Sequence, residues 1–183
     1  QAQPCIRYLV AGADHRSGHS AQAVRGYEQA LESLRLADCM NGVQACLLEL
    51  AVSHQHSGDL ERSETIYNDL LAEHKLSPFH RIILYGHLVD LTAHLDRLEE
   101  GREYLRLGRS LVPTLEDSAQ REIATAWIDL KQGYIHFCKG EFKAVLDHID
   151  KAVGTLQSYG HHRLLIFCCY MQSIAWGRQG QYL

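Results

Sequence analysis

Twelve histidines and six cysteines are the groups in this chain with the widest chemical reach. Histidines set beside one another or beside carboxylates can hold a metal ion, and a cysteine or serine beside a base can act as a nucleophile. The tightest histidine groups are His54-x-His56 and His161-His162. Two residues on a helix are separated by about 200° of rotation, so His54 and His56 cannot both grip one ion. His87 and His94 share a helix face, but Asp90 and Asp96 beside them read as ordinary solvated carboxylates, and no HExxH is present. The cysteines Cys5, Cys39, Cys46, Cys138, Cys168 and Cys169 form no CxxC pair and sit inside apolar helical patterns, as buried reduced thiols do. Cys168-Cys169 lies within Ile166-Phe167-Cys168-Cys169-Tyr170 and reads as core filling. No G-x-S-x-G elbow and no glycine-rich phosphate loop occur. The acid pairs Glu99-Glu100 and Glu116-Asp117 fall where helices begin, so capping accounts for them. The expectation is therefore no catalytic residue, no cofactor, no metal and no enzyme within this sequence.

Composition narrows the partners. Eighteen basic residues against twenty-two acidic ones leave a net charge of −4, without the basic excess that nucleic acid or an anionic membrane attracts. No run of eighteen apolar residues is available to span a membrane, and no signal peptide is read. Reduced cysteines suit a cytoplasmic protein. Hydrophobic residues make up 46%, enough for a core, and proline is scarce at three. Leu and Ala outnumber β-branched residues, which favours helix.

What positions these residues is a repeat. Turn signals recur at Ser17-Gly18, Ser57-Gly58-Asp59, Leu95-Asp96-Arg97, Lys139-Gly140-Glu141 and Gln179-Gly180-Gln181, in steps of 40, 38, 44 and 40 residues. A step of about 40 holds two helices and two turns. After each turn a small residue, a large apolar one and usually another small one follow at spacings of four and three. Examples are Ala23-x3-Tyr27-x2-Ala30, Ser63-x3-Tyr67-x2-Leu70, Gly101-x3-Leu105-x2-Gly108 and Val145-x3-Ile149-x2-Ala152. That spacing places all three on one helical face. The small residues let a neighbouring helix come close.

The pattern G-x-[YFL]-x2-A-x3-[YF]-x2-A resembles the second helix of the tetratricopeptide repeat (TPR) family, in its long-repeat form of about 40 residues rather than the usual 34 or so. The resemblance covers nearly the whole chain. It implies an all-α fold, a right-handed superhelix of antiparallel helix hairpins, with units near 1–40, 41–77, 78–115, 116–160 and a cut-off fifth at 161–183. First helices are expected near 4–16, 43–56, 79–95, 118–138 and 162–178, and second helices near 20–37, 60–75, 98–112 and 142–158. Ser77-Pro78 reads as a cap and first turn. The sequence starts without Met and stops at the opening of a fifth second helix, so it is expected to belong to a longer protein.

In such arrays the first helices line a concave groove. Matching the hairpin phases puts Tyr8, Leu48, Asp90, Trp127, Tyr134, Phe137, Phe167 and Tyr170 on that groove, with Gly12 and Gly86 among the poorer positions. The Lys and Asn clamp with which some family members hold a C-terminal carboxylate is absent at these slots. The expected partner is therefore a protein's amphipathic helix or an extended apolar peptide, held chiefly by Trp127, Tyr134 and Tyr170. A homodimer through an exposed C-terminal hairpin is the competing use of the same end. By family resemblance the segment is the regulatory or sensory scaffold of a larger bacterial signalling or transcription-regulating protein. The alternative is a receptor that closes its groove on a peptide or small ligand.

Overall fold

The computed structural model describes residues 2–73 and 75–180, apart from the side chain of residue 2. Among the described residues there are nine α-helices, one 3-10 turn and no strand. The helices are α1 Ala2–Arg16, α2 Ser20–Leu36, α3 Met40–Ser57, α4 Leu60–Ala72, α5 Pro78–His94, α6 Leu98–Leu111, α7 Ser118–Cys138, α8 Phe142–Ser158 and α9 His162–Arg178, with the 3-10 turn Val112–Thr114 after α6. The expected segments 118–138, 142–158 and 162–178 coincide with α7, α8 and α9. Helix α4 is shorter than expected. Glu73 turns extended, with ψ 117°, and Leu76 buries itself before α5 begins. The expected fifth second helix falls at 181–183, outside the described residues.

Seven of the nine described helices end by one recurring device. Gly18, Asp38, Gly58, Asp96, Gly140, Gly160 and Gly180 all have positive φ. After the first six of these the next residue's N–H reaches back five residues to a helix carbonyl, as from Asp59 to His54 at 2.9 Å and from Glu141 to His136 at 3.0 Å. The left-handed sites fall at 18, 38 and 58 and again at 140, 160 and 180. The 40-residue step is thus two helix-turn modules of 20. Asp38 and Gly160, which close second helices, carry the same signal as the turns found in the sequence. Three helix starts are capped by a side-chain oxygen. Asp59, Ser77 and Asp117 accept from the N–H groups of Arg62, His80 and Gln120.

The chain forms two compact units, up to Leu76 and from Ser77. In the first, α1 and α2 run antiparallel: Ala11 lies against Gly26, while Arg7 reaches Ser33 at the other end. Ala23 and Ala30 are fully buried at these contacts, beside Tyr27, Leu34, Val43, Cys46 and Leu50. In the second unit, α5 packs antiparallel on α6, with Thr92 beside Gly101 and Tyr85 stacked on Tyr104. Helices α7 and α8 do likewise, with Asp129 near His148 and Tyr159 donating to Glu122. Helices α5 and α7 are parallel, because Trp127 covers Gly86 and Lys131 pairs with Asp90, each 41 residues apart. Helices α7 and α9 are also parallel, through Tyr134 with Phe167 and Phe137 with Tyr170.

Candidate functional site

The groove residues expected from the sequence divide between the units. Tyr8 and Leu48 lie in the first, both partly buried, and Tyr8 packs edge-on to Tyr27 with centroids 5.6 Å apart. The other six lie in the second, where the structure sorts them into a locked interior pair of rows and an open strip.

The interior rows are Gly86 and Asp90 on α5 and Trp127 and Lys131 on α7. Trp127 is 6% exposed. A Cβ at Gly86 would overlap its indole nitrogen, so the glycine is what lets the ring sit against the α5 backbone. Trp127 and Gly86 therefore do not offer a face to a partner, contrary to the sequence expectation: the ring is spent on closing α7 against α5. Asp90 is not an ordinary solvated carboxylate either. Lys131, 4% exposed, donates to its Oδ2 at 2.6 Å. The ammonium also lies 4.3 Å from the Trp127 ring centre and 5.8 Å from that of Phe167, where ring faces are electron-rich. Lys131 escaped the sequence reading. Its signals were present: one turn beyond Trp127 and one repeat step beyond Asp90.

The open strip is Tyr134 and Phe137 on α7 facing Phe167 and Tyr170 on α9. Ring centroids are 5.7 Å apart for Tyr134–Phe167 and 6.3 Å for Phe137–Tyr170. Tyr170 is 56% exposed, and Ile166, one turn before it, is 71% exposed. The remaining three rings are partly buried. Burial, with Cys138 and Asp90 nearby, pushes the Tyr134 hydroxyl well above the usual tyrosine range, so it stays a neutral hydrogen-bonding group. These residues arise from 3.6-residue periodicity: 134 and 137, like 166, 167 and 170, share one helix side.

The histidines pair among themselves and with carboxylates. His54 is buried with Nδ1 3.3 Å from Asp59, and His136 Nδ1 lies 2.5 Å from Glu141. Both stand four residues before a left-handed glycine, with the acid just after it. His56 points away from His54, as the helix geometry requires, and stacks on buried His15, which also bonds Ser53. His148 stacks on His136 with centroids 5.4 Å apart and lies 3.4 Å from Asp129. Its burial lowers its affinity for a proton more than Asp129 raises it. Among the described residues, no three His, Cys, Asp or Glu side chains are grouped to hold a metal ion.

The cysteines correct the expectation of buried thiols. Only Cys46 and Cys168 are buried, while Cys5, Cys39, Cys138 and Cys169 are exposed. Burial pushes the Cys46 thiol up to about 12 and that of Cys168 up to about 11, which keeps both protonated and unreactive. Cys169 is not core filling; the helix turns it outward beside its buried neighbour. Among the described residues, no helix is long and apolar enough to cross a membrane. No protein-family model matches the chain, and no curated protein matches it.

Proposed function

We propose that this chain is a TPR-like solenoid, a right-handed superhelix of antiparallel hairpins, that binds a protein or peptide partner along the first helices of its second unit. The observation that carries the reading is the open strip of Tyr134, Phe137, Phe167 and Tyr170 with Ile166. Four rings form two tilted pairs across two parallel helices, and Tyr170 and Ile166 stay in water. Aromatic side chains give large contact area with few rotors to freeze, and tyrosine keeps a polar tip that tolerates solvent when unbound. Parallel first helices offset by a repeat step, and turns that recur every 20 residues, support the solenoid assignment. The ligand suited to the strip is an amphipathic helix or an extended apolar segment. In a larger bacterial cytoplasmic protein such a unit acts as a regulatory or sensory scaffold, with chemistry supplied elsewhere.

The test is selection of binding peptides on the purified chain, followed by titration against Tyr170→Ala with Ile166→Ala. Both side chains are more than half exposed, so the fold is preserved. The selected peptides should lose roughly 2 kcal/mol or more of binding if these are hot spots. Peptides that bind both proteins equally, with unchanged circular dichroism, would remove the strip from consideration.

A further inference from the structure

We propose that two copies of this chain associate through α1, paired antiparallel across a two-fold axis. Ile6, Leu9 and Val10 are each more than half exposed. With exposed Ala13 they form a stripe at spacings of three and four, on the side of α1 turned away from Ala11, Tyr8 and His15, which pack inward. Large aliphatics spaced this way are the seam by which one helix packs along another.

The charges beside the stripe say what the other helix is. Arg7 and Asp14 are two turns apart, so they lie on the same flank. When two identical helices pack antiparallel, each flank meets its own counterpart. Arg7 then faces the partner's Asp14, and Asp14 faces the partner's Arg7, while Val10 sits near the axis. A parallel pairing would set this flank against Leu9 and Arg16 and lose the match. Arg7 is free to turn outward, since its hold on the Ser33 hydroxyl is long at 3.3 Å and exposed. A helix that is self-complementary in both its apolar seam and its flanking charges fits a second copy of itself. The stripe is short, so the association is a weak, concentration-dependent one.

Sedimentation equilibrium of the whole chain, from about 10 μM to roughly 0.5 mM at low salt, reads it directly. The expected result is a monomer–dimer equilibrium that weakens with added salt. Arg7→Asp alone brings carboxylates together across the axis, and Asp14→Arg alone brings guanidinium groups together. Each should weaken the dimer by about tenfold or more, since two symmetric pairs turn from attraction to repulsion. The double swap Arg7→Asp with Asp14→Arg should restore it. Val10→Glu should abolish it. These positions lie at the surface, and circular dichroism checks that the helices persist. A chain that stays monomeric at the highest concentration overturns the proposal. So does a dimer indifferent to the reversals, or one that survives Val10→Glu but is lost on Tyr170→Ala, which would place the contact on the aromatic strip instead.

Discussion

Lys131 sits where a lysine costs most, almost wholly removed from water, and Asp90 and two ring faces offset that cost. Removing the ammonium leaves a carboxylate facing an apolar wall. Lys131→Ala should destabilise the second unit by about 2–3 kcal/mol in a urea titration, below the figure for a fully buried pair because Asp90 keeps some exposure. Replacing both partners, as Lys131→Met with Asp90→Leu, should recover most of the loss, since no charge is then stranded. His148 makes a second residue-level prediction. Its proton affinity is lower folded than unfolded, chiefly through burial, so the unfolded chain binds more protons once pH drops to the ordinary histidine value of 6.5. The stability held by neutral His148 is present above that value and is lost as pH falls below it. His148→Gln should flatten the stability curve between about pH 7 and 5. A variant whose curve keeps the parent's slope would assign the pH dependence to other groups.

Seven of the nine described helices end on a left-handed residue, and that is a property of the element rather than of any partner. Asp96 occupies the site with φ 57° where five of the six other such turns use glycine. An L side chain pays a small penalty there that glycine does not. Asp96→Gly should raise the melting temperature slightly, by a gain of less than about 1 kcal/mol, while Gly140→Val should lower it. Close helix contacts give the opposite kind of test. Ala30 is fully buried between α2 and its neighbours, and Ala30→Leu should cost roughly 1–3 kcal/mol by overpacking. Gly86→Ala should cost a similar amount, because the new methyl must displace Trp127 from the α5 backbone. A Gly86 variant of unchanged stability, with unchanged indole fluorescence, would show that the ring has another place to go.

At the level of the molecule, each unit has its own core. Tyr27, Leu34, Cys46 and Leu50 belong to one, and Ile82, Trp127, Ile149 and Met171 to the other. A core built within 77–183 should let that segment melt cooperatively and helically by itself, as stacked repeats do when nearest neighbours supply the stability. A segment that shows no helical transition would contradict this. Thiol reactivity tests the same picture across the whole chain. Four cysteines are exposed and two buried, so a native titration should show four accessible thiols, Cys138 the slowest because partial burial pushes its thiol up, with Cys46 and Cys168 reacting only on unfolding.

The helices were readable from the sequence because their causes are local. Periodicity of 3.6, a glycine or aspartate that tolerates positive φ, and an Asp or Ser whose oxygen caps the next turn all act within about six residues. Hence α7, α8 and α9 appear where the pattern puts them, and Ala23, Ala30 and Ala152 are buried as their small size at close contacts requires. Asp38 and Gly160 were equally local signals and could have been found by searching at 20 residues instead of 40. What a helix face meets is a different matter. Trp127 and Tyr134 project to the same side of α7, yet Trp127 is sealed by α5 and Tyr134 opens toward α9. Periodicity specifies an angle around one axis and not which neighbouring helix lies there or how near. The Asp90–Lys131 pair joins residues 41 apart, and the exposure of Cys169 beside buried Cys168 turns on which side α8 occupies. Only packing of whole helices decides these, because burial is set by distance between elements, a quantity that no single element contains.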